Sequence, residues 1–308
     1  MINPTFSRRT LLGGAAALPF AAAVRPAFAA AHMGESQNAV QNTFALGDFQ
    51  VSTLLAGTRT VEDIQSIFGT NVPPEEFEQV SQQNFIPADK AQFFFTPTVV
   101  RTGNETVLFD TGPSPVGMVA ALAAAGLTPE EIDVVVLTHM HGDHIGGMAG
   151  EGGAATFPNA RYVTGQVEFD HWNGTEDENF AAKVKPFAEQ FTFLNDGGSV
   201  VSGLTAVEAF GHTPGHMAYM LESGGEQVLV MADTANHYVW SLAYPEWEVR
   251  FDADKAMAAE TRKKILGMVA ADRHPLIGYH MPFPGMGYVT EEGPGMFHYV
   301  PTTYQMML

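Results

Sequence analysis

The chain has 308 residues, 45% hydrophobic and 16% charged, enough apolar surface to bury a sizeable core, so a disordered or fibrous chain is excluded. Its 15 Lys+Arg against 34 Asp+Glu leave a formal charge of -19, a surface that repels phosphate backbones and anionic lipid and makes nucleic acid and membranes poor partners. There is no cysteine, which rules out disulfides, thiolate zinc sites, Fe–S clusters and a cysteine nucleophile.

Ser7-Arg8-Arg9-Thr10-Leu11-Leu12 sets an arginine pair ahead of a weakly apolar run, Leu11 to Val24. Ala27-Phe28-Ala29 then supplies the small-x-small pattern a signal peptidase needs. The run is 14 residues long, short of the ~20 that a helix needs to cross a bilayer. Residues 1–29 therefore read as a signal peptide of the twin-arginine (Tat) type, and the periplasm is the expected location; an uncleaved anchor is the alternative. Residues 30–43 form a polar lead-in, expected to be mobile through Gln37–Asn42, and residues 44–308 form one domain.

Within that domain Phe49–Leu55 alternates like a strand, and Val61–Ala88 is mixed and broken by prolines, with a short helix at Glu75–Gln83. Phe93–Arg101 and Thr106–Asp110 are two β-rich runs flanking the turn Gly103-Asn104. Val116–Ala125 is predicted helical and is stopped by Gly126, with a new start at Thr128-Pro129-Glu130. Ile132–Leu137, nearly all apolar, is a buried strand that delivers Thr138 and the histidines after it to its C-terminal end. Arg161–Thr164 is another strand, and Gln166–Trp172 and Glu178–Gln190 are helical or loop-helical. Leu204–Phe210, Met217–Leu221 and Gln227–Met231 are three successive strands. Asp252–Ala271 is the longest helical pattern, and Pro275–Tyr279 is expected to be the last strand. Strands in both halves, each half also bearing helices, predict sheets packed face to face with helices outside.

Thr138-His139-Met140-His141-Gly142-Asp143-His144-Ile145-Gly146-Gly147 gathers three imidazoles and a carboxylate within six residues. Neutral imidazole and carboxylate are ligand types that suit Zn²⁺ and its neighbours. A turn leaving a strand can aim His139 and His141 at one ion and Asp143 and His144 at a second. Gly211-His212-Thr213-Pro214-Gly215-His216, Met231-Ala232-Asp233-Thr234 and Gly278-Tyr279-His280-Met281-Pro282 each place a further candidate ligand at the end of an apolar strand.

Together with Leu108-Phe109-Asp110-Thr111-Gly112, these motifs resemble, in order and spacing, the metallo-β-lactamase superfamily of dinuclear hydrolases. Gly47-Asp48-Phe49, the run His280 to Gly287, and Val300-Pro301 look like methyl parathion hydrolase and its relatives. The resemblance implies an α+β fold, a four-layer αββα sandwich, with two divalent metal ions, zinc by default and Mn, Fe or Co as alternatives. It implies that His139, His141 and His212 hold one ion and that Asp143, His144 and His280 hold the other. Asp233 would bridge them together with a hydroxide, Asp143 would also orient or relay a proton, and Asp110 would stand behind the ligands. Trp172 and Phe180 fall where those relatives carry pocket aromatics, with a plain core role equally open. His237, four residues past Asp233, is either a substrate contact or a solvated loop histidine. His216 is expected to bond a neighbouring backbone group.

The implied activity is hydrolysis of a neutral ester-like bond in a small-molecule substrate: a lactone, a carboxylester or an organophosphate triester. A β-lactamase or thioesterase of the same fold and a mononuclear-iron dioxygenase are the alternatives, and a homodimer is compatible with this reading. For the leader, the expected outcome is a mature protein that begins near Ala30 after export. N-terminal sequencing or intact mass of the secreted form checks it, and retention of Arg8 and Arg9 would refute cleavage.

Overall fold

Sixteen strands form among the described residues, and parallel pairing of a few of them decides where chemistry can be placed. A computed structural model describes residues 40–303. The leader and residues 30–39 of the lead-in lie outside the described residues. Strands β1 (Gln41–Leu46) and β2 (Phe49–Leu54) form a hairpin; β3 (Gly57–Glu62), helix α1 (Pro74–Gln83) and β4 (Lys90–Phe95) follow, with β3 and β4 paired as a separate ribbon. Then come β5 (Thr98–Arg101), β6 (Thr106–Phe109), α2 (Pro115–Ala124), β7 (Val134–Val136), the single turn α3 (Gly142–Ile145) and β8 (Arg161–Gly165). Helices α4 (Gln166–Asn173) and α5 (Glu178–Lys183) lead to β9 (Phe191–Leu194). The second half runs β10 (Ser199–Val201), β11 (Leu204–Glu208), β12 (Met217–Ser223), β13 (Glu226–Ala232), α6 (Lys255–Asp272), β14 (Leu276–Gly278), β15 (Met286–Gly293) and β16 (Met296–Pro301).

Two seven-stranded sheets result, ordered β1-β2-β5-β6-β7-β8-β9 and β10 through β16 in sequence order. Their period-2 alternation builds four layers. In β7, Val134 and Val136 belong to one buried cluster with Tyr219, Leu221 and Val230 of the other sheet, while Val135 belongs to the cluster of Met118, Leu122 and Phe169 of the helices outside. In β13, Val228 and Val230 point between the sheets, and Leu229 and Met231 point to Ile265, Leu266 and Val269 of α6. A one-residue slip would exchange these faces, so register is set by burial on both sides. A fourth cluster, Ile64, Phe68, Phe77, Trp240 and Trp247, joins α1 and the β3–β4 ribbon to the segment after β13.

Several expectations are corrected. The lead-in becomes strand at Gln41: β1 is an edge strand with one face in solvent, so it needs inward apolar residues only at alternate positions. The run Phe93–Arg101 is two strands, because Pro97 cannot donate to a ladder and the chain changes partner there, from β3 to β2 and β6. Glu178–Gln190 is helical as expected, α-helical to Lys183 and a tighter 3₁₀ segment from Lys185. β14 is not the last strand; the β15–β16 hairpin follows, its pattern obscured by glycines and by solvent-facing Glu291 and Glu292. Strands β3, β9 and β10 were also not expected.

Among the described residues no helix is long and apolar enough to cross a membrane. Leu229, wholly buried between its sheet and α6, should report on core integrity. Leu229→Ala is expected to cost about 2–5 kcal/mol, read as a lower urea midpoint with an unchanged slope.

Candidate metal centre

Strands β6, β7 and β8 are mutually parallel, as are β13 and β14. Parallel neighbours present their C-terminal ends at the same sheet edge, so the segments leaving these strands converge. Asp110 follows β6, His139 to His144 follow β7, Asp233 follows β13, and His280 follows β14; His212 lies on the loop from β11 to β12. Asp110 and Ala232 carry positive φ, 59° and 45°, left-handed backbone that only glycine adopts freely. Gly147 closes the β7 turn where a Cβ would lie 2.0 Å from the Thr111 carbonyl oxygen. The Thr111 N–H and hydroxyl both bond the His144 carbonyl at 2.7 Å.

The structure brings all seven candidate ligands together. His139, His141 and His212 form one group of ligand atoms, Asp143, His144 and His280 a second, and His139, His144 and Asp233 a third that links them, each within 4.8 Å. Asp233 Oδ2 lies 3.4 Å from His212 Nε2 and 3.2 Å from His280 Nε2, and its Oδ1 lies 3.4 Å from His144 Nε2.

Outward partners decide the tautomers. The Thr138 hydroxyl donates to Asp110, so it accepts the Nδ1 proton of His139. His144 Nδ1 donates to Asp110 at 2.8 Å, His212 Nδ1 to Asp252 at 3.0 Å, and His280 Nδ1 to the Phe94 carbonyl at 2.9 Å. In the neutral ring each of these four turns a bare Nε2 lone pair inward. His141 enters through Nδ1, 3.0 Å from both His139 Nε2 and His212 Nε2. One proton on His141 can close only one of those contacts; the other sets two lone pairs face to face.

Electrostatics sharpen this. Burial, reinforced by neighbouring imidazoles, pushes His139 well below its ordinary pKa and His141 to about 3, so both are neutral and ready to ligate. At His144 and His280 burial works the same way but the carboxylates win. Asp233, Asp110 and Asp143 raise His144, and Asp233 and Asp143 raise His280 to about 10. Asp233 is held well below the usual carboxylate range, since His280 and His144 outweigh the effect of its burial. This field calls for positive charge, and divalent cations answer it while releasing the protons. His144 Nε2 and Asp233 Oδ1 are buried without any hydrogen-bond partner, a cost of ~1–3 kcal/mol each that a shared cation removes. The residues therefore fit two cations.

Some supporting residues were not anticipated. Asp252, read in the sequence only as the start of a helix, lies before α6 and holds His212; the wholly buried Arg262 donates to it at 2.8 Å. Their separation from the motifs along the chain hid the link. The buried Glu168 accepts from Met140 N and Gly215 N, on the two loops that carry the first three histidines. His216 donates to the Ala209 carbonyl and accepts the Asp233 N–H, a backbone role as expected. Trp172 approaches the site, its ring 5.8 Å from that of His141 and edge-on to it. His237 lines a cavity of about 170 Å³ with His280, Phe94, Tyr238, Trp240 and Pro282. Phe180 departs from the pocket reading: it is 2% exposed and packs on Phe169 in the core beneath α4 and α5.

Residues 96–275, more than half of the chain, match the metallo-beta-lactamase superfamily. The chain belongs to that superfamily. Among solved structures it is similar to AidC, a dizinc quorum-quenching lactonase in complex with a product, at 23% identity over 87% of this chain and 99% of that one, TM-score 0.79. It is equally similar to the hydrolase AbOPH of the beta lactamase superfamily, at 25% identity with the same coverage and TM-score 0.79. A probable metal-dependent hydrolase from Staphylococcus aureus matches at 20% identity over 84% of this chain and 99% of that one, TM-score 0.70. Curated relatives match only in part. Anti-Pycsar protein Apyc1 of Paenibacillus sp. (strain J14) is 39% identical over 57 residues, 18% of this chain and 22% of that protein. Ribonuclease Z of Aeropyrum pernix is 49% identical over 45 residues, 15% of this chain and 14% of that protein.

Chelation should lower the melting temperature and added metal should restore it, since an ion at a hundredfold excess over its Kd stabilises the fold by ~2.7 kcal/mol. Asp233→Ala should lose at least one ion by elemental analysis with circular dichroism unchanged. Asp110→Asn should be milder, ~10–100-fold in metal affinity. If Asp233→Ala kept both ions while Asp110→Asn lost them, the bridging assignment would be wrong.

Proposed function

We propose that this chain is a dinuclear metal-dependent hydrolase of a neutral ester-like bond, with a lactone as the leading substrate class and carboxylesters and organophosphate triesters next. The observation that carries the reading is the position of Asp233, whose carboxylate lies within 3.4 Å of histidines from both ligand groups. In this reading His139, His141 and His212 hold one ion, Asp143, His144 and His280 the other, and Asp233 is shared; zinc is the default. Two divalent cations supply a water that ionises near neutral pH and an electrophile for the substrate oxygen. The likeness to AidC, a lactonase, supports the lactone over the other esters. Export by the Tat route belongs to the same proposal.

The chain's own residues divide the remaining work. Asp143 is the site carboxylate open to solvent, its side chain 30% exposed, and it sits 3.3 Å from His280; it can take a proton from the reacting water and pass it to solvent. The ring of Tyr279 packs 3.9 Å from that of His144, and its hydroxyl donates to the Asp143 carbonyl, fixing that turn. At about 170 Å³ the cavity beside His280 is smaller than the ~300 Å³ at the lower end of whole-ligand pockets. It takes one apolar branch of the substrate, between Phe94, Trp240 and Pro282. His237 Nδ1 accepts the N–H groups of Val239 and Trp240, so its proton sits on Nε2 as a donor for a substrate oxygen. The second ligand group, Asp143, His144 and His280, disfavours a mononuclear-iron dioxygenase.

Metal analysis of the purified protein, coupled to turnover of lactone, aryl ester, phosphotriester, thioester and β-lactam substrates, tests the reading. About two ions per chain and cleavage of the first three classes are expected. One iron per chain, or activity confined to β-lactams or thioesters, would sink it. His237→Ala should retain both ions and lower kcat/KM by about 3–10-fold, the worth of one substrate hydrogen bond.

A further inference from the structure

Glu168 is a wholly buried carboxylate with no part in the reaction above. It faces four donors and no cationic side chain. Oε1 accepts from Met140 N at 2.9 Å and Trp172 Nε1 at 2.6 Å; Oε2 accepts from the Thr213 hydroxyl at 2.7 Å and Gly215 N at 3.0 Å. Three of these partners have no lone pair to offer, so only the Thr213 hydroxyl could accept a proton from the carboxyl group, and the other three can only donate to it. The donors come from three segments. Met140 lies between His139 and His141, Thr213 and Gly215 follow His212, and Trp172 presents its ring edge-on to His141. The fit is close: a Cβ on Gly215 would lie 2.0 Å from the Glu168 nitrogen, so the His212 loop rests directly on α4.

We propose that Glu168 is a positioning residue that holds the His139–His141 loop, the His212 loop and Trp172 at one spacing and thereby sets the affinity of the first metal ion. This rests on the metal-dependent reading above. The other ligand group is held differently: His144 by Asp110, His280 by the Phe94 carbonyl and the Asp143 turn by Tyr279. A lesion at Glu168 is therefore selective for one ion. The amide introduced by Glu168→Gln turns its NH₂ toward one donor pair. On the Oε2 side the Thr213 hydroxyl can rotate to accept, but the Gly215 N–H loses its partner.

The test is chelator competition on the holoprotein and its variants, with anomalous scattering from crystals to locate the ions that remain. Glu168→Gln should weaken one ion by ~10–100-fold, the ion at His139, His141 and His212, and leave the other near wild-type affinity. Thr213→Val, which removes one donor of four, should show a smaller loss of the same ion. In the double variant the two losses should add to less than their sum, as for residues in one network. If Glu168→Gln holds both ions as tightly as wild type, or loses the two equally, the proposal is overturned. If Glu168→Gln does not fold, Thr213→Val decides by the same criterion. A wild-type protein that binds no ions would instead overturn the metal-dependent reading itself.

Discussion

Everything in the site depends on one electrostatic constraint: inward-facing lone pairs and carboxylate oxygens crowd together with their protons already committed elsewhere. His139, His144, His212 and His280 each give the Nδ1 proton to an outward acceptor. What remains inward is electron density: four Nε2 atoms, His141 Nδ1 and the carboxylates of Asp143 and Asp233, in a space no wider than 4.8 Å within each group. Such an arrangement is repulsive in a low-dielectric interior unless positive charge enters it. Without metal, protons on His144 and His280 supply that charge, and divalent cations would take their place.

The surrounding polar residues follow from that constraint. An imidazole keeps its orientation only if its outer nitrogen has a fixed partner. Asp110 serves Thr138 and His144 at once. Asp252 serves His212 and is itself held by the buried guanidinium of Arg262, which also donates to the carbonyls of Pro245 and Trp247. A buried ion pair contributes little to stability on its own, so its place beneath a candidate ligand is better explained by orientation. Glu168 extends the same logic from side chains to backbone, tying two loops rather than one ring.

Burial divides the aromatic residues by role. Phe180, on α5, faces the core with Phe169, whereas Phe94, Trp240 and His237 sit where the β3–β4 ribbon and the segment after β13 wall a cavity next to His280. The ribbon arises because the chain changes partner at Pro97, so a proline that interrupts a strand also builds one wall of the candidate substrate site.

The sequence by itself determined the ligand types and the strand ends that carry them. The apolar runs before Thr138, Asp233 and His280 are buried on both faces and are therefore legible as strands without knowledge of their partners, and the absence of cysteine restricted the chemistry to imidazole and carboxylate. Edge strands such as β1 and β16 were not legible, because half of each faces solvent and its pattern weakens. Tertiary structure alone decided which groups stand behind the ligands. Asp252 lies 40 residues from His212 and Glu168 lies 28 from Met140; no local periodicity links such positions. It decided as well that Trp172 reaches the site while Phe180, eight residues on, does not. Both are aromatic residues on short helices, and only the packing of α4 and α5 on the first sheet turns one toward His141 and the other into the core.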